Sequence, residues 1–210
     1  MKILVTGFEP FNGGTVNPSE QIVHRLTAPE GVTLYKEILP VEFQKTSVRL
    51  RELFQTYEPD IVLSVGQAGG RAEISVERVA INLDSVKSSN GKKVLPDNAG
   101  HMPVDVPIEP DGAPAYFSTL PLWQLVEAIQ ETGISAAISN TAGTYVCNHV
   151  MYENLYLASV RYPEMKTGFI HVPFLPEQIE GREDKERLAA MSLEEMVTAL
   201  QTALNVLADR

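Results

Sequence analysis

Residues 61–70 read IVLSVGQAGG, a short apolar run followed by a glycine-rich segment. An apolar run of this length, bounded by turn residues, is typical of a strand buried on both faces of a sheet. Similar runs occur at residues 2–5 (KILV), 136–139 (AAIS) and 167–172 (TGFIHV). Such strands, separated by helical patterns, predict an α/β fold with a largely parallel sheet.

The segments between these runs carry helix signals. Asn17 and Pro18 suit the N-cap and first position of a helix, and Ser192 with Glu195 forms a capping-box pattern. The predicted helices cover about residues 17–26, 50–57, 122–133, 145–162 and 192–207, and further strands are predicted at 32–39 and 74–83. Residues 85–111 are polar and rich in glycine and proline, which predicts a long loop.

Composition limits the function. The 210 residues are 44% hydrophobic and 21% charged, which is typical of one globular domain, here expected to span residues 1–210. A net charge of −10 argues against nucleic-acid binding. No apolar run approaches the roughly 18 residues of a membrane span. The free thiol and the lack of an export signal predict a cytoplasmic protein with no membrane partner.

The chain has one cysteine, Cys147, which excludes an internal disulfide or a multi-thiolate metal site. The predicted strand, turn and helix around it place Cys147 in the first turn of a helix. There the partial positive charge lowers a thiol pKa, and free N–H groups can bind an oxyanion. An inert buried thiol remains an equally good interpretation.

A thiol nucleophile needs a base, and position favours His171 among the four histidines. It ends a predicted strand, and sites in parallel sheets lie beyond the carboxyl ends of the strands. His149 follows Cys147 by two residues, so on a helix the two side chains point in different directions. Position therefore favours His171 over His149 as the base.

Glu77 lies in an apolar strand-like segment, and a carboxylate buried there must be paired or functional. It could orient a catalytic histidine. It could equally form a salt bridge with Arg71 or Arg78, and the sequence leaves both possibilities open.

Five motifs together resemble the pyroglutamyl peptidase type I (pyrrolidone-carboxylate peptidase) family of cysteine peptidases, from residue 1 to about residue 177. They are VTGFEPF (5–11), VGQAGGR (65–71), ERVAIN (77–82), AGTYVCN (142–148) and GFIHVPFLPEQ (168–178). The resemblance implies hydrolysis of the amide bond after an N-terminal pyroglutamyl residue. It also implies a three-layer α/β/α sandwich around a twisted, mixed, mostly parallel sheet, no metal or organic cofactor, and a homotetramer.

The resemblance assigns the nucleophile to Cys147, the general base to His171 and the partner carboxylate to Glu77. The residues implied in substrate binding are Phe8, Phe11, Asn17, Val41, Gln67, Tyr145 and Val146. Asn17 fits equally well as a helix N-cap, and the two phenylalanines could simply pack in the core.

One segment departs from the family pattern. Residues 83–96 make the loop after the ERVAIN motif about seven residues longer than the family's, and the arginine of the family motif is replaced near Val94. The added residues are hydrophilic, so we expect a solvated insertion that alters access to the pocket or contacts a neighbouring subunit. No role of that arginine carries over to this chain.

Two other functions remain open at this stage. One is a nucleoside phosphorylase-like or hydrolase-like enzyme on a similar sheet, for which the loop 66–71 offers glycines and Arg71. The other is an inactive homologue that only binds a ligand.

Overall fold

Within residues 1–87 and 94–209, which the computed structural model describes, six strands form one mixed sheet. The elements are β1 (Lys2–Phe8), α1 (Pro18–Arg25), β2 (Thr33–Leu39), α2 (Phe43–Tyr57), β3 (Ile61–Gln67), β4 (Ile74–Glu77), β5 (Val79–Ile81), β6 (Ala115–Phe117), α3 (Leu122–Glu131), β7 (Ala136–Ser139), α4 (Val146–Val160), β8 (Lys166–Val172), α5 (Pro176–Ile179), a 3₁₀ turn (Lys185–Arg187) and α6 (Leu193–Ala208).

The strand order in the sheet is β2-β1-β3-β8-β4-β7. The pairings of β1 with β2 and β3, of β3 with β8 and of β4 with β7 are parallel, whereas β4 runs antiparallel to β8. The predicted mixed, mostly parallel sheet is therefore confirmed. The carboxyl ends of β1, β3 and β8 lie at one edge, which is where a site is expected.

Helices cover both faces of this sheet. Ile3 and Val5 belong to one buried apolar cluster and Leu4 to another. Because successive side chains of a strand point to opposite faces, the two clusters lie on opposite sides of the sheet. The first cluster includes residues of α1, α3 and α6, and the second includes residues of α2 and α4. This arrangement is the expected three-layer α/β/α sandwich.

The two strongest capping predictions are confirmed. The side chain of Asn17 accepts a hydrogen bond from the backbone N–H of Ser19 at the start of α1. Ser192 and Glu195 form both halves of a capping box at the start of α6. Sequence reasoning works here because caps depend on local backbone geometry.

The prediction of a single strand over residues 74–83 is wrong. The strand is interrupted at Arg78. The N–H of Arg78 donates to the carbonyl of Ser139, and its carbonyl accepts from the N–H of Ser118. The second half, β5, pairs with β6 in a separate antiparallel sheet. The strand β6 and the helix α5 were not predicted, because three or four residues are too few to show a periodicity.

In the described part of residues 85–111 only isolated bridges occur, which agrees with the predicted loop. The centre of the predicted insertion, residues 88–93, lies outside the described residues. None of the helices in the ranges described here is both long enough and apolar enough to cross a membrane.

Replacing Leu204 with alanine should reduce the free energy of unfolding by about 2–5 kcal/mol, because its fully buried side chain fills the core under α6. The control is Leu193→Ala on the same helix, where the side chain is only half-buried. Urea denaturation monitored by circular dichroism measures both. Equal losses for the two variants would contradict the proposed core packing.

Candidate active site

Loops at the carboxyl edge of the sheet enclose a cavity of about 310 Å³. Its walls come from the ends of β1, β3 and β8, the segments that follow β1, β2 and β3, the turn before α4, and Leu95. The lining residues are Phe8, Phe11, Asn17, Val41, Gln67, Ala68, Arg71, Leu95, Ala142, Gly143, Tyr145, Val146, Cys147 and His171. Every site residue predicted from the sequence lines this cavity except Glu77, which lies behind His171.

Cys147 is the second residue of α4, as the sequence predicts, and the residue is half-buried and lines the cavity. The N-cap residue Tyr145 makes no side-chain capping bond. The first N–H groups of the helix therefore have no side-chain cap, and they are available to a substrate oxygen.

The predicted lowering of the thiol pKa is wrong for this geometry. Burial and, to a smaller extent, the negative charge of Glu77 raise the pKa of Cys147 to about 12, while Arg71 acts in the opposite direction. Desolvation of the thiolate therefore outweighs the effect of the helix start. The thiol is protonated in this arrangement, so a neighbouring base has to remove the proton.

His171 and Glu77 form a buried pair, with 2.7 Å between His171 Nδ1 and Glu77 Oε1. Burial pushes the pKa of Glu77 upward, but the hydrogen bond from His171, the positive charge that this imidazole carries once it is protonated, and the charge of Arg71 hold it below its ordinary value. Glu77 is therefore ionised and accepts the Nδ1 proton, an assignment that follows from the carboxylate partner. The other ring nitrogen, Nε2, is left as a proton acceptor.

The imidazole of His171 is neutral at neutral pH. Burial lowers its pKa, Glu77 partly offsets this, and the positive charge of Arg71 lowers it again. The structure records no hydrogen bond between His171 and Cys147, although both line the cavity. The two groups thus meet as a neutral base and a neutral thiol.

Arg71 forms the salt bridge with Glu77 that the sequence left open as a possibility. Its Nη1 donates to Glu77 Oε1 at 2.5 Å, and its Nη2 donates to the carbonyl of Thr141 at 2.8 Å. Arg71 therefore joins the carboxylate to the turn that leads into α4. The sequence left open whether Glu77 pairs with a histidine or with an arginine. Both contacts are observed, and both are made to Glu77 Oε1.

The walls of the cavity are mainly aromatic and aliphatic. Phe8 is buried and packs 6.2 Å from Phe169 between ring centroids, so it belongs to the core and the cavity wall alike. Phe11 is half-buried, with its ring centroid 6.3 Å from that of Tyr145. A flat, largely apolar group would fit between such walls.

Two amides add polar groups to this wall. The side-chain oxygen of Gln67 accepts from Gln178 at 2.9 Å, which leaves the NH₂ of Gln67 free to donate to a ligand. The side-chain oxygen of Asn17 accepts a hydrogen bond from the N–H of Ser19, and its side-chain nitrogen donates to the carbonyl of Glu9. Its N-cap role is therefore confirmed, whereas its contact with a substrate stays a prediction.

The whole chain, residues 1–210, matches the family model described as pyroglutamyl peptidase. The chain belongs to the pyroglutamyl peptidase family. It is 46% identical to pyrrolidone-carboxylate peptidase 1 of Caldanaerobacter subterraneus subsp. tengcongensis, with 99% of this chain and 98% of that protein covered. It is 45% identical to pyrrolidone-carboxylate peptidase of Streptococcus suis, with 100% and 93% covered.

Solved structures of this family have the same fold. Pyroglutamyl peptidase I of Bacillus amyloliquefaciens superposes with a TM-score of 0.91 at 41% identity, covering 100% of this chain and 97% of that one. Pyrrolidone carboxyl peptidase of Fervidobacterium islandicum superposes with a TM-score of 0.93 at 40% identity, covering 100% and 99%. Membership of the pyroglutamyl peptidase family disfavours the nucleoside phosphorylase-like alternative.

Five lining residues had not been singled out as pocket residues: Ala68, Arg71, Leu95, Ala142 and Gly143. Leu95 belongs to the segment 83–96, and its N–H donates to the carbonyl of Val86. The end of this segment thus contributes directly to the wall of the cavity. Only the tertiary structure shows this, because Leu95 is distant in sequence from every other lining residue.

Gly66 allows the close approach of β3 to the thiol. A Cβ atom at this position would lie 2.9 Å from Cys147 Sγ and 2.8 Å from Phe169 Cζ. We expect Gly66→Ala to slow alkylation of Cys147 by iodoacetamide about tenfold, because the thiol must shift to relieve an overpacking of 1–3 kcal/mol. Gly14→Ala is the control for adding a methyl group to a glycine. A Cβ atom there would meet the carbonyl oxygen of Phe11 and not the thiol of Cys147. Unchanged alkylation in Gly66→Ala would contradict the geometry described for β3 and α4.

Proposed function

We propose that this chain is a cysteine peptidase that removes an N-terminal pyroglutamyl residue, with Cys147 as nucleophile, His171 as general base and Glu77 as the orienting carboxylate. The observation that carries the proposal is the 2.7 Å pair of His171 and Glu77 beside a helix-start thiol in an apolar cavity. Membership of the pyroglutamyl peptidase family over the whole chain supports the same reaction.

The reaction begins with a neutral thiol and a neutral imidazole. As the substrate binds, His171 Nε2 removes the thiol proton while Sγ attacks the carbonyl carbon outside the lactam ring. Glu77 holds the Nδ1 proton and stabilises the imidazolium that forms. Because burial raises the thiol pKa, the thiolate forms only when the substrate is present.

The oxyanion of the tetrahedral intermediate is bound by N–H groups in the first turn of α4, which have no side-chain cap. His171 then gives its proton to the leaving amine, so the C–N bond breaks and an acyl-thioester remains on Cys147. Water, deprotonated by His171, hydrolyses the thioester. Pyroglutamate leaves and the thiol regains its proton.

The lactam ring lies between Phe8, Phe11 and Tyr145 in this proposal, with Val41 and Val146 completing the apolar wall. Such a ring is flat and uncharged, with one N–H donor and one carbonyl acceptor, and it needs no cation. The free NH₂ of Gln67 donates to a substrate carbonyl, because Gln178 engages its oxygen. Asn17 contributes chiefly by holding the loop that carries Phe11.

Three further properties belong to this proposal. We expect residues 1–210 to act as one catalytic unit, in the cytoplasm, where a free thiol stays reduced. We also expect a homo-oligomer, a tetramer by resemblance. Phe117 and Trp123 are 67% and 65% exposed, and they offer apolar surface that an assembly would cover.

Cys147→Ala should lower kcat/KM for a chromogenic pyroglutamyl amide by about 10⁴-fold or more, whereas Glu77→Gln should lower it by less, because an orienting group is less essential than a nucleophile. Release of the chromophore measures both variants, and thermal denaturation confirms that each is folded. Full activity in Cys147→Ala would exclude the proposed mechanism.

Arg71→Met and Glu77→Gln should shift the acidic limb of the kcat/KM profile in opposite directions. The charge of Arg71 lowers the pKa of His171, so its loss raises that pKa and activity disappears at a higher pH on acidification. Glu77 raises the pKa of His171, so its loss moves the limb to lower pH. Both shifts are expected because His171 must be neutral in order to accept the thiol proton.

The control for the Arg71 variant is Arg25→Met, an exposed arginine paired with Glu194 on α6. It should leave the pH profile of kcat/KM unchanged. If Arg71→Met lowers activity equally at every pH, Arg71 has only a structural role and the electrostatic argument is wrong.

A further inference from the structure

A second serine–histidine–aspartate arrangement lies outside the cavity that holds Cys147. Ser47 Oγ is 2.7 Å from His149 Nε2, and His149 Nδ1 is 2.8 Å from Asp84 Oδ2. The three residues come from α2, α4 and the segment after β5. None of the three lines the Cys147 cavity.

The protonation pattern of this cluster follows from its carboxylate. Asp84 accepts a hydrogen bond from Nδ1 of His149, which leaves Nε2 as the acceptor for the hydroxyl proton of Ser47. The imidazole is held in place by Phe43, whose ring meets it edge-on with 5.6 Å between centroids. The base is thus oriented and largely shielded, as general-base catalysis requires.

Ser47 uses its hydroxyl in an unusual way for a serine within a helix. Such residues commonly donate to the backbone carbonyl three or four positions earlier. Ser47 instead bonds to His149 across the interface between α2 and α4. Ser47 is half-buried, whereas the side chains of His149 and Asp84 are only 6% and 9% exposed. Ser47 is therefore the most exposed residue of the cluster.

A groove of about 500 Å³ opens over this cluster. Phe43, Pro103, Pro107 and Ile108 supply apolar walls. Their size and polarity suit a short, uncharged acyl group better than a charged one.

Donors for a carbonyl oxygen lie on the same helix. Gln44 lines the groove three residues before Ser47, on the same face of α2. The N-cap residue Glu42 makes no side-chain capping bond, and Asp97 Oδ2 accepts from the N–H of Phe43 at 3.1 Å. Within the described ranges the N–H of Gln44 has no acceptor, so this lining residue offers a free backbone donor as well as its side chain.

We propose that Ser47 is a second nucleophile, which cleaves small neutral esters with a short apolar acyl group. His149 takes the hydroxyl proton as Ser47 Oγ forms a bond to the acyl carbon. The C–O bond of the ester then breaks, and His149 returns the proton to the departing alcohol. Water hydrolyses the acyl-serine, which releases the acid and restores the hydroxyl.

The test uses full-length Cys147→Ala, so that the thiol cannot react with the probes. Treated with an alkyl fluorophosphonate, this variant should gain one phosphonyl group on Ser47 as fluoride leaves, which peptide mass spectrometry detects. It should also hydrolyse p-nitrophenyl butyrate. Adding Ser47→Ala should lower both rates at least about tenfold, and adding Asp84→Asn should do the same, because the histidine loses its orienting partner.

Ser159→Ala is the matched control, because Ser159 is an exposed serine of α4 whose hydroxyl donates to the carbonyl of Tyr156 and to no histidine. It should leave both rates unchanged. Ser47→Ala places the best helix former in α2, so it should fold even if Asp84→Asn does not.

Absence of an adduct on Ser47 would overturn this second site, as would ester hydrolysis that persists in Cys147→Ala with Ser47→Ala. Either result would mean that the hydrogen bonds among Ser47, His149 and Asp84 serve only to hold α2 against α4. Because pyroglutamyl amide hydrolysis is measured separately on the unsubstituted chain, failure here leaves the role of Cys147 untouched.

Discussion

The buried carboxylate of Glu77 is the interaction on which the proposed site depends. A lone charge at this depth would be strongly unfavourable, and it is stabilised by hydrogen bonds from His171 and Arg71 to one oxygen. Through these bonds, Glu77 connects β4, the end of β8 and the loop after β3. Arg71 extends the connection to the carbonyl of Thr141, just before the helix that carries Cys147. Loss of Arg71 would leave the carboxylate without a positively charged partner inside the protein.

The antiparallel pairing of β4 with β8 makes this contact possible. Ser75 lies opposite His171 and Glu77 lies opposite Phe169, so Glu77 and His171 are diagonal neighbours on one face of the sheet. A shift of one residue in this register would turn Glu77 to the other face. The same burial that fixes the pair also keeps the thiol of Cys147 protonated, since it disfavours every isolated charge. In the proposed mechanism, the reaction therefore depends on proton transfer from Cys147 to His171 rather than on a preformed thiolate.

Much of the fold could be predicted because its signals are local. The apolar run 61–65, the cap at Asn17 and the capping box at Ser192 each depend on a few neighbouring residues. Cys147 and His171 could be singled out from their positions at a helix start and a strand end. The break at Arg78 escaped prediction, because it is set by bonds to Ser139 and Ser118 that are remote in sequence.

The sequence by itself determined most of the longer elements, the α/β class and the resemblance that assigns Cys147, His171 and Glu77 their roles. Only the tertiary structure decided that Arg71 and His171 share one oxygen of Glu77, and that burial raises the thiol pKa. It alone brought Ser47 to His149, which is 102 positions away. Distances and desolvation arise from the packing of segments far apart in the chain, and no local pattern of residues records them.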